Sequence, residues 1–526
     1  MFAQLTDIDV LILTAYFALV GLSAWWFGLR KTPHSNMSLL FKSVSTLPFW
    51  AVAMSILATS QSAATFLGGP DQGYRGDFSY LATTISVFIA AWLVARYLIP
   101  TFFRYRVTTV YQLLTQRFGQ RATSAAGLMY LFGRLFASGA RLYMAAIAVS
   151  MVLFGDIAAS HIFIAIVVIV ISASVYAVWG GIRAVILSDV LQCLVYFSAA
   201  LIVGFFLLSQ IPLSLSEIIA LLVNEPAPST GTALPDLGKL SVIYLSWDVS
   251  ASGVFHLASL LTGLVLLNIA AFGLDQDLTQ RLLSCDSSAQ ATRALYWSIG
   301  ILVPVLLVFI GLGFLLYIVY QKPEVMQHSL TLTGPPEFAG QTVTVLLHYV
   351  LTMIPAGFKA LVIIGIIAAA LSSLNSGLNS MASVVVEDFI KPSQLYTRLR
   401  VSEIHLGRYV MLVIGLCLSA MAMLCFYWQQ HTDMPLLQFA LSVMVFSYSG
   451  LLGVFFTALF TQRGSNKSVS WALLVGFAVP LLCQPYCLDL GLGFTWQLCL
   501  GTLCATLVCM LGKSQTNATH PALSTP

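Results

Sequence analysis

The run Ala368-Ala369-Ala370-Leu371-Ser372-Ser373-Leu374-Asn375-Ser376-Gly377-Leu378-Asn379-Ser380 sets hydroxyls and amides inside a long apolar stretch. Oxygens at that density can hold a cation stripped of water. Ser372 and Ser373 offer hydroxyls, and Ala369, one helical turn earlier, offers a carbonyl near them. Neutral oxygens suit reversible release, whereas a carboxylate would hold an ion longer. Small residues and serines also permit close helix packing, and the spacing leaves both readings open.

The charged residues are few enough to take singly. Asp189 follows Gly180-Gly181-Ile182-Arg183-Ala184 and reads as the start of a helix. There it is either a cap or, as an intramembrane carboxylate, part of a cation path. Arg134 and Arg141 are seven residues apart and share roughly one helix face. Arg141 needs an anion, either Asp189 or the carboxylate of a substrate. Asp277 and Arg281 form an i, i+4 pair and read as an inner-gate or loop-anchoring ion pair, with Asp275 beside them. Glu387-Asp388 reads as interfacial. The eight His show no metal-ligand spacing, and no P-loop, nucleophile elbow or zinc motif is present. The chain is therefore not read as an enzyme, and no cofactor is implied.

Such groups need a scaffold, and composition supplies its class. Of 526 residues, 59% are hydrophobic and 8% charged, where soluble domains carry about 25% charged residues. Windows of roughly 20 apolar residues recur about thirteen times. The chain is an all-α polytopic protein whose main partner is the lipid bilayer. Lys and Arg cluster in alternate loops, Arg104, Arg117, Arg121, Arg293, Lys391 and Arg463 among them. This places the N-terminus outside and the C-terminus in the cytoplasm. The net charge of +4 follows from that topology and gives no argument for nucleic acid. The first span is as long as a full crossing and reads as retained, not as a cleaved leader. Cys483 and Cys487 lie near an outer loop, either as a pair or as free thiols. The Asn517-Ala518-Thr519 sequon falls on the inner side, where glycosylation is not expected.

Two spans look interrupted. One carries Ala58-Thr59-Ser60-Gln61-Ser62-Ala63-Ala64-Thr65 in its middle, the other Asn268-Ile269-Ala270-Ala271-Phe272-Gly273 near its inner end. Matching breaks in two halves point to an inverted-repeat transporter with its site at mid-membrane. The expected organisation is an extra N-terminal helix and loop (1–44), a first five-helix repeat (45–210), an outer loop (211–252), a second repeat (253–462), two C-terminal helices (463–512) and a disordered tail (513–526). The apolar segment Val345–Ile354 is too short to span and should lie as a hairpin helix on the outer face.

Four stretches carry a resemblance. They are Ser55 to Pro70 running on to Tyr74-Arg75; Tyr176 to Val185 with Asp189 and Gln192; Gly273-Leu274-Asp275-Gln276 with Gln280-Arg281; and Ser372-Ser373 running into Val386-Glu387-Asp388-Phe389-Ile390-Lys391-Pro392. Through them the chain resembles the sodium:solute symporter family, the sodium–glucose transporter relatives, over nearly its whole length. The resemblance implies a LeuT-type fold and uptake driven by sodium. It places the main sodium ion on the carbonyls of Ala58, Gln61 and Ala369 and the hydroxyls of Ser372 and Ser373. A second sodium would use Asp189, Ser372, Asn375 and Ser376, although Asn375 stands where relatives carry a hydroxyl. Substrate contacts would fall on Ser60, Ser62, Thr65, Thr84, Arg141 and Asn268. The inner-gate aromatic of sugar-transporting members is replaced by Ala271, with Phe272 beside it as the gate.

Thr65 and Thr84 replace the acidic and amide groups of those sugar carriers, which disfavours a sugar. Arg141 looks like the Arg that grips a carboxylate in sialic-acid members, and other segments look closer to the monocarboxylate, vitamin and iodide branch. The expected function is symport of sodium with a small organic anion. The alternatives are a neutral solute such as an amino acid or sugar, a proton as driving ion, or a transporter-like membrane sensor. A monomer suffices, and compact loops suggest a bacterial inner membrane.

Overall fold

A computed structural model describes residues 6–29, 47–229, 231–326, 337–338, 341–342, 344–394, 396, 403–429, 431, 436–484 and 487–513. The basic residues Arg30, Lys31, Lys42, Arg398 and Arg400 and the tail from Ser514 lie outside them.

The helices, in chain order, are α1 (Asp7–Leu29), α2 (Phe49–Ser60), α3 (Ala63–Arg75), α4 (Thr83–Leu93), α5 (Ile99–Tyr105), α6 (Gln112–Phe118), α7 (Gln120–Phe154), α8 (Ala159–Gln210), α9 (Leu215–Asn224), α10 (Leu257–Leu261), α11 (Gly263–Gly273), α12 (Gln276–Leu282), α13 (Ser288–Gln321), α14 (Val345–Met353), α15 (Phe358–Val384), α16 (Glu403–Gln429), α17 (Leu436–Phe460), α18 (Asn466–Leu482) and α19 (Phe494–Met510). Among the described residues seven segments are long and apolar enough to cross a membrane, and two bent pairs raise that to nine. The expected thirteen is reached only by adding α1 and the shorter apolar helices Ala159–Val175, α18 and α19.

Both expected breaks are present, and each has a local cause. The chain leaves α2 at Gln61 (φ −86°, ψ 128°) and Ser62 (φ −131°, ψ 177°), then re-enters as α3 at 65°. The run of serines and threonines there competes for backbone hydrogen bonds and weakens winding. The second break falls after the anticipated Asn268–Gly273 segment, which is wound. It lies at Leu274–Asp275 and bends the chain by 57°. The Asp275 carboxylate accepts from Asp277 N (3.0 Å) and caps α12.

Asp189 is not a helix start. Gly181 takes φ 62° and ψ −176°, a conformation costly for any residue with a Cβ. It kinks α8, and the helix then runs unbroken from Gly181 to Gln210. Asp189 therefore sits two turns inside a span.

α15 packs against α8, α7 and α16 and takes its polar residues away from lipid. Of its apolar window 94% is buried, against 39% for α16. Elsewhere large apolar side chains such as Trp50, Trp92, Phe205 and Leu416 are exposed, as a lipid-facing surface requires. The outer segment after α8 folds over α3. Lys239 is buried there, with its ammonium donating to Gly76 O (2.6 Å) and Tyr74 O (3.3 Å) and lying 4.3 Å from the Tyr317 ring centre. α14 forms where the short apolar segment was expected.

Candidate functional site

The α2–α3 break faces α15 and α8. A cavity of about 270 Å³ lies between them, bordered by Ala58 and Gln61 on one side, Ala369 and Ser372 on another, and Gln192 on a third. Leu57 O still accepts from Gln61 N (2.9 Å) and Ser60 Oγ (2.8 Å), but the carbonyls after it have no following turn to accept from. Ser373 is buried but does not border this cavity. Four of the five residues expected to hold one sodium ion thus border one cavity, whose wall is almost wholly apolar.

Ser372 also anchors a buried charge network. Its hydroxyl donates to Asp189 Oδ1 (2.6 Å), which leaves its oxygen lone pairs directed elsewhere. Ser55 Oγ donates to Asp189 Oδ2 (2.5 Å), and Arg281 Nη2 lies 3.0 Å from the same oxygen. Arg281 continues to Asp277 (Nη1 to Oδ1, 3.2 Å), as the i, i+4 spacing anticipated. Arg134 then bridges Asp277 and Asp275 (Nη1 to Asp275 Oδ2, 3.0 Å), and the Tyr448 hydroxyl donates to Asp275 Oδ2 (2.6 Å). These charges are buried, at most 4% exposed. A buried pair is best tolerated when hydrogen bonds satisfy its remaining atoms; serine and tyrosine hydroxyls meet most of them here, and Arg134 Nε is left without a partner among the described residues.

This pairing settles what the spacing left open. Asp189 pairs with Arg281, not with Arg134 or Arg141. Arg134 takes Asp275 and Asp277, so these residues fasten α12 to α7 instead of sitting in a loop. Of the second-sodium set, Asp189 and Ser372 touch. Asn375 Oδ1 is buried with no partner, and Ser376 Oγ donates to Ser373 O (3.0 Å).

A second cavity, of about 140 Å³, adjoins this network. Ser60, Arg141, Asn268 and Phe272 border it, as expected of substrate contacts and gate. Ser62, Thr65 and Thr84 do not. Ser62 and Thr65 are buried in the first turn of α3. Thr84 is displaced by helix phase: the 3₁₀ turn Phe78–Ala82 precedes α4, so Thr83 borders the cavity and Thr84 Oγ1 donates back to Leu81 O (2.8 Å). Tyr80, Thr83 and Tyr448 also reach the cavity, unanticipated. The Thr83-Thr84 pair was the one signal for Thr83.

Arg141, half-buried, differs from the fully buried guanidinium groups of Arg134 and Arg281. Among the described residues no carboxylate lies within ion-pair distance of it, and Nη2 finds only Met444 Sδ at 3.7 Å. Counting the network, three carboxylates (Asp189, Asp275, Asp277) face two cations (Arg134, Arg281). Arg141, bordering the same cavity as Arg134, supplies the third. A mobile anion and a mobile cation could enter together without unbalancing this interior.

The profile of the sodium:solute symporter family matches residues 41–476. The sodium/sialic acid symporter SiaT of Proteus mirabilis is 25% identical over 496 residues, covering 93% of this chain and 91% of that protein. Sodium-coupled monocarboxylate transporter 1 of Mus musculus is 25% identical over 443 residues, covering 84% and 66%. Among solved structures, a Na+-coupled sialic acid symporter in a substrate-bound outward-open state superposes with a TM-score of 0.77 at 23% identity, covering 96% of this chain and 97% of that one.

Proposed function

This chain belongs to the sodium:solute symporter family, with the LeuT-like fold, and from that premise we propose that it carries a small organic anion, a carboxylate, together with sodium. It is an integral membrane, sodium-coupled symporter and not an enzyme. The identity of the cargo rests on Arg141. This guanidinium borders the cavity beside Ser60, Asn268 and Phe272 while both neighbouring arginines are taken by aspartates. A half-buried guanidinium with no ion-pair partner among the described residues is open to a carboxylate, which fits its fork. The relatives named for sialic acid and for monocarboxylates are in keeping with such a cargo.

In this reading sodium sits on the carbonyls of Ala58, Gln61 and Ala369 and the hydroxyls of Ser372 and Ser373. It ties α2 to α15 and so holds the outward-open state. Asp189, Ser372, Asn375 and Ser376 offer a second position. The substrate then meets Arg141, with Ser60 and Asn268 orienting it and Phe272 closing beneath, while Ser62, Thr65 and Thr84 shape the path nearby. Binding of both lets the two repeats rock, and one charge crossing 100 mV supplies about 2.3 kcal/mol. The N-terminus lies outside and the C-terminus in the cytoplasm, in keeping with the loop charges.

The test is uptake of labelled carboxylates into vesicles containing the purified protein. Sodium-dependent uptake that Arg141→Ala abolishes supports the assignment. Normal uptake by a well-folded Arg141→Ala variant refutes it.

A further inference from the structure

We propose that the coupled cation leaves toward the inner end along one face of α15, over Asn375, Asn379 and Ser383; this extends the sodium reading above. The three residues stand at i, i+4 and i+8 and therefore line one face. The row starts about one turn beyond Ser372 and extends roughly 12 Å, at 1.5 Å per residue, from Asn375 to Ser383. All three are buried, at 1%, 0% and 0% exposure. Among the described residues Asn375 Oδ1, Asn379 Oδ1 and Nδ2, and Ser383 Oγ find no hydrogen-bond partner.

Other buried polar atoms, such as Ser138 Oγ and Gln192 Oε1, are also unpartnered among the described residues, but they stand singly and not in a row on one helix face. Asn268 and Asn224 fold their amides back onto the carbonyl four residues earlier (2.8 and 2.9 Å). Ser376 and Ser380, on the neighbouring face of α15, donate to carbonyls three residues earlier (3.0 and 3.1 Å), and Ser380 also receives the Tyr130 hydroxyl (2.9 Å). Asn379 does none of this. An amide kept as interhelical glue makes hydrogen bonds, and one that makes none serves an occupant that passes. Neutral amide and hydroxyl oxygens in file suit a partly hydrated monovalent cation stepping from the Asp189–Ser372 pair.

At its inner end the row is shut. Thr109 Oγ1 lies 2.8 Å from both Asp388 carboxyl oxygens, Gln112 Nε2 donates to Asp388 Oδ1 (3.3 Å), and the Tyr111 hydroxyl donates to Leu274 O (2.8 Å). The segment between α5 and α6 thus clasps α12 to the end of α15. Opening this clasp would admit water to the row and release the ion.

The experiment compares two fluxes in vesicles for Asn379→Val and Ser383→Ala. Net uptake with sodium outside only requires sodium to leave at the inner side on every cycle. Exchange of labelled for unlabelled substrate, with sodium saturating on both sides, does not. Loss of one hydrogen-bonding group predicts net uptake about fivefold slower in each variant, with exchange and external sodium activation near wild type. A packing role alone would slow both fluxes alike or neither, and either result overturns the proposal. If Asn379→Val does not fold, Ser383→Ala decides. Ser372→Ala is run beside them: if it leaves sodium activation unchanged, the ion site itself fails; if it weakens activation while net uptake and exchange move together in the row variants, only the exit route fails.

Discussion

Ser372→Ala should change two measurable quantities at once. The substitution removes one oxygen from the cavity shared with Ala58, Gln61 and Ala369. It also removes the 2.6 Å hydrogen bond to Asp189 Oδ1. A contact between a hydroxyl and a charge contributes about 1.5–3 kcal/mol, so the half-saturating sodium concentration should rise roughly 10- to 100-fold. Ser373→Ala should also weaken sodium activation, but less, because Ser373 does not border that cavity. The second quantity is stability. Ser372→Ala leaves a buried carboxylate short of one donor, so the thermal midpoint should fall even without sodium. The assay is sodium activation of labelled-substrate uptake in proteoliposomes, paired with thermal unfolding of the same preparation. Sodium curves for both variants that overlay wild type would refute the assignment of the ion to this cavity. A larger effect from Ser373→Ala would place the ion on the other face of α15.

Arg281→Met strands Asp189 in the interior, leaves Asp277 with Arg134 alone, and should destabilise by about 3–5 kcal/mol, seen as a lost or sharply lower thermal midpoint; adding Asp189→Asn should recover part of it, and an unchanged midpoint would contradict the network. Arg141→Lys keeps the charge, and with it the balance against the three buried carboxylates, but loses the fork, so it should bind carboxylates more weakly, with a raised KM and a near-normal thermal midpoint, because among the described residues Arg141 makes no ion pair. Burial pushes the Lys239 ammonium in the outer segment from 10.5 down to about 8. Between those values the unfolded chain binds more protons than the folded one, so stability should rise as pH climbs through that window. The thermal midpoint of wild type relative to Lys239→Met should therefore climb over the same range, and a flat difference would contradict the burial argument.

The polar run Ala58 to Thr65 announced a break because serines and threonines weaken winding, and the chain bends at Gln61 and Ser62 within it. The small-residue stretch on α15 announced burial, and α15 is almost wholly enclosed. Asp189 was misread as the start of a span because the new span begins two turns earlier, at the kink that the positive φ of Gly181 makes. The partners of Arg134 lie 141 and 143 residues away, a pairing that helix periodicity cannot encode. Thr84 was favoured over Thr83 because a 3₁₀ turn shifts helix phase without marking the sequence. The unsatisfied Asn379 amide is visible only once every neighbour has been placed.

The most direct measurement follows a carboxylate and sodium together into proteoliposomes. Labelled carboxylate should accumulate above its external concentration when sodium is high outside, carry sodium inward in a fixed ratio, and collapse to equilibrium when potassium replaces sodium. Accumulation that ignores sodium, or a neutral solute accumulated while every carboxylate stays outside, would contradict the account.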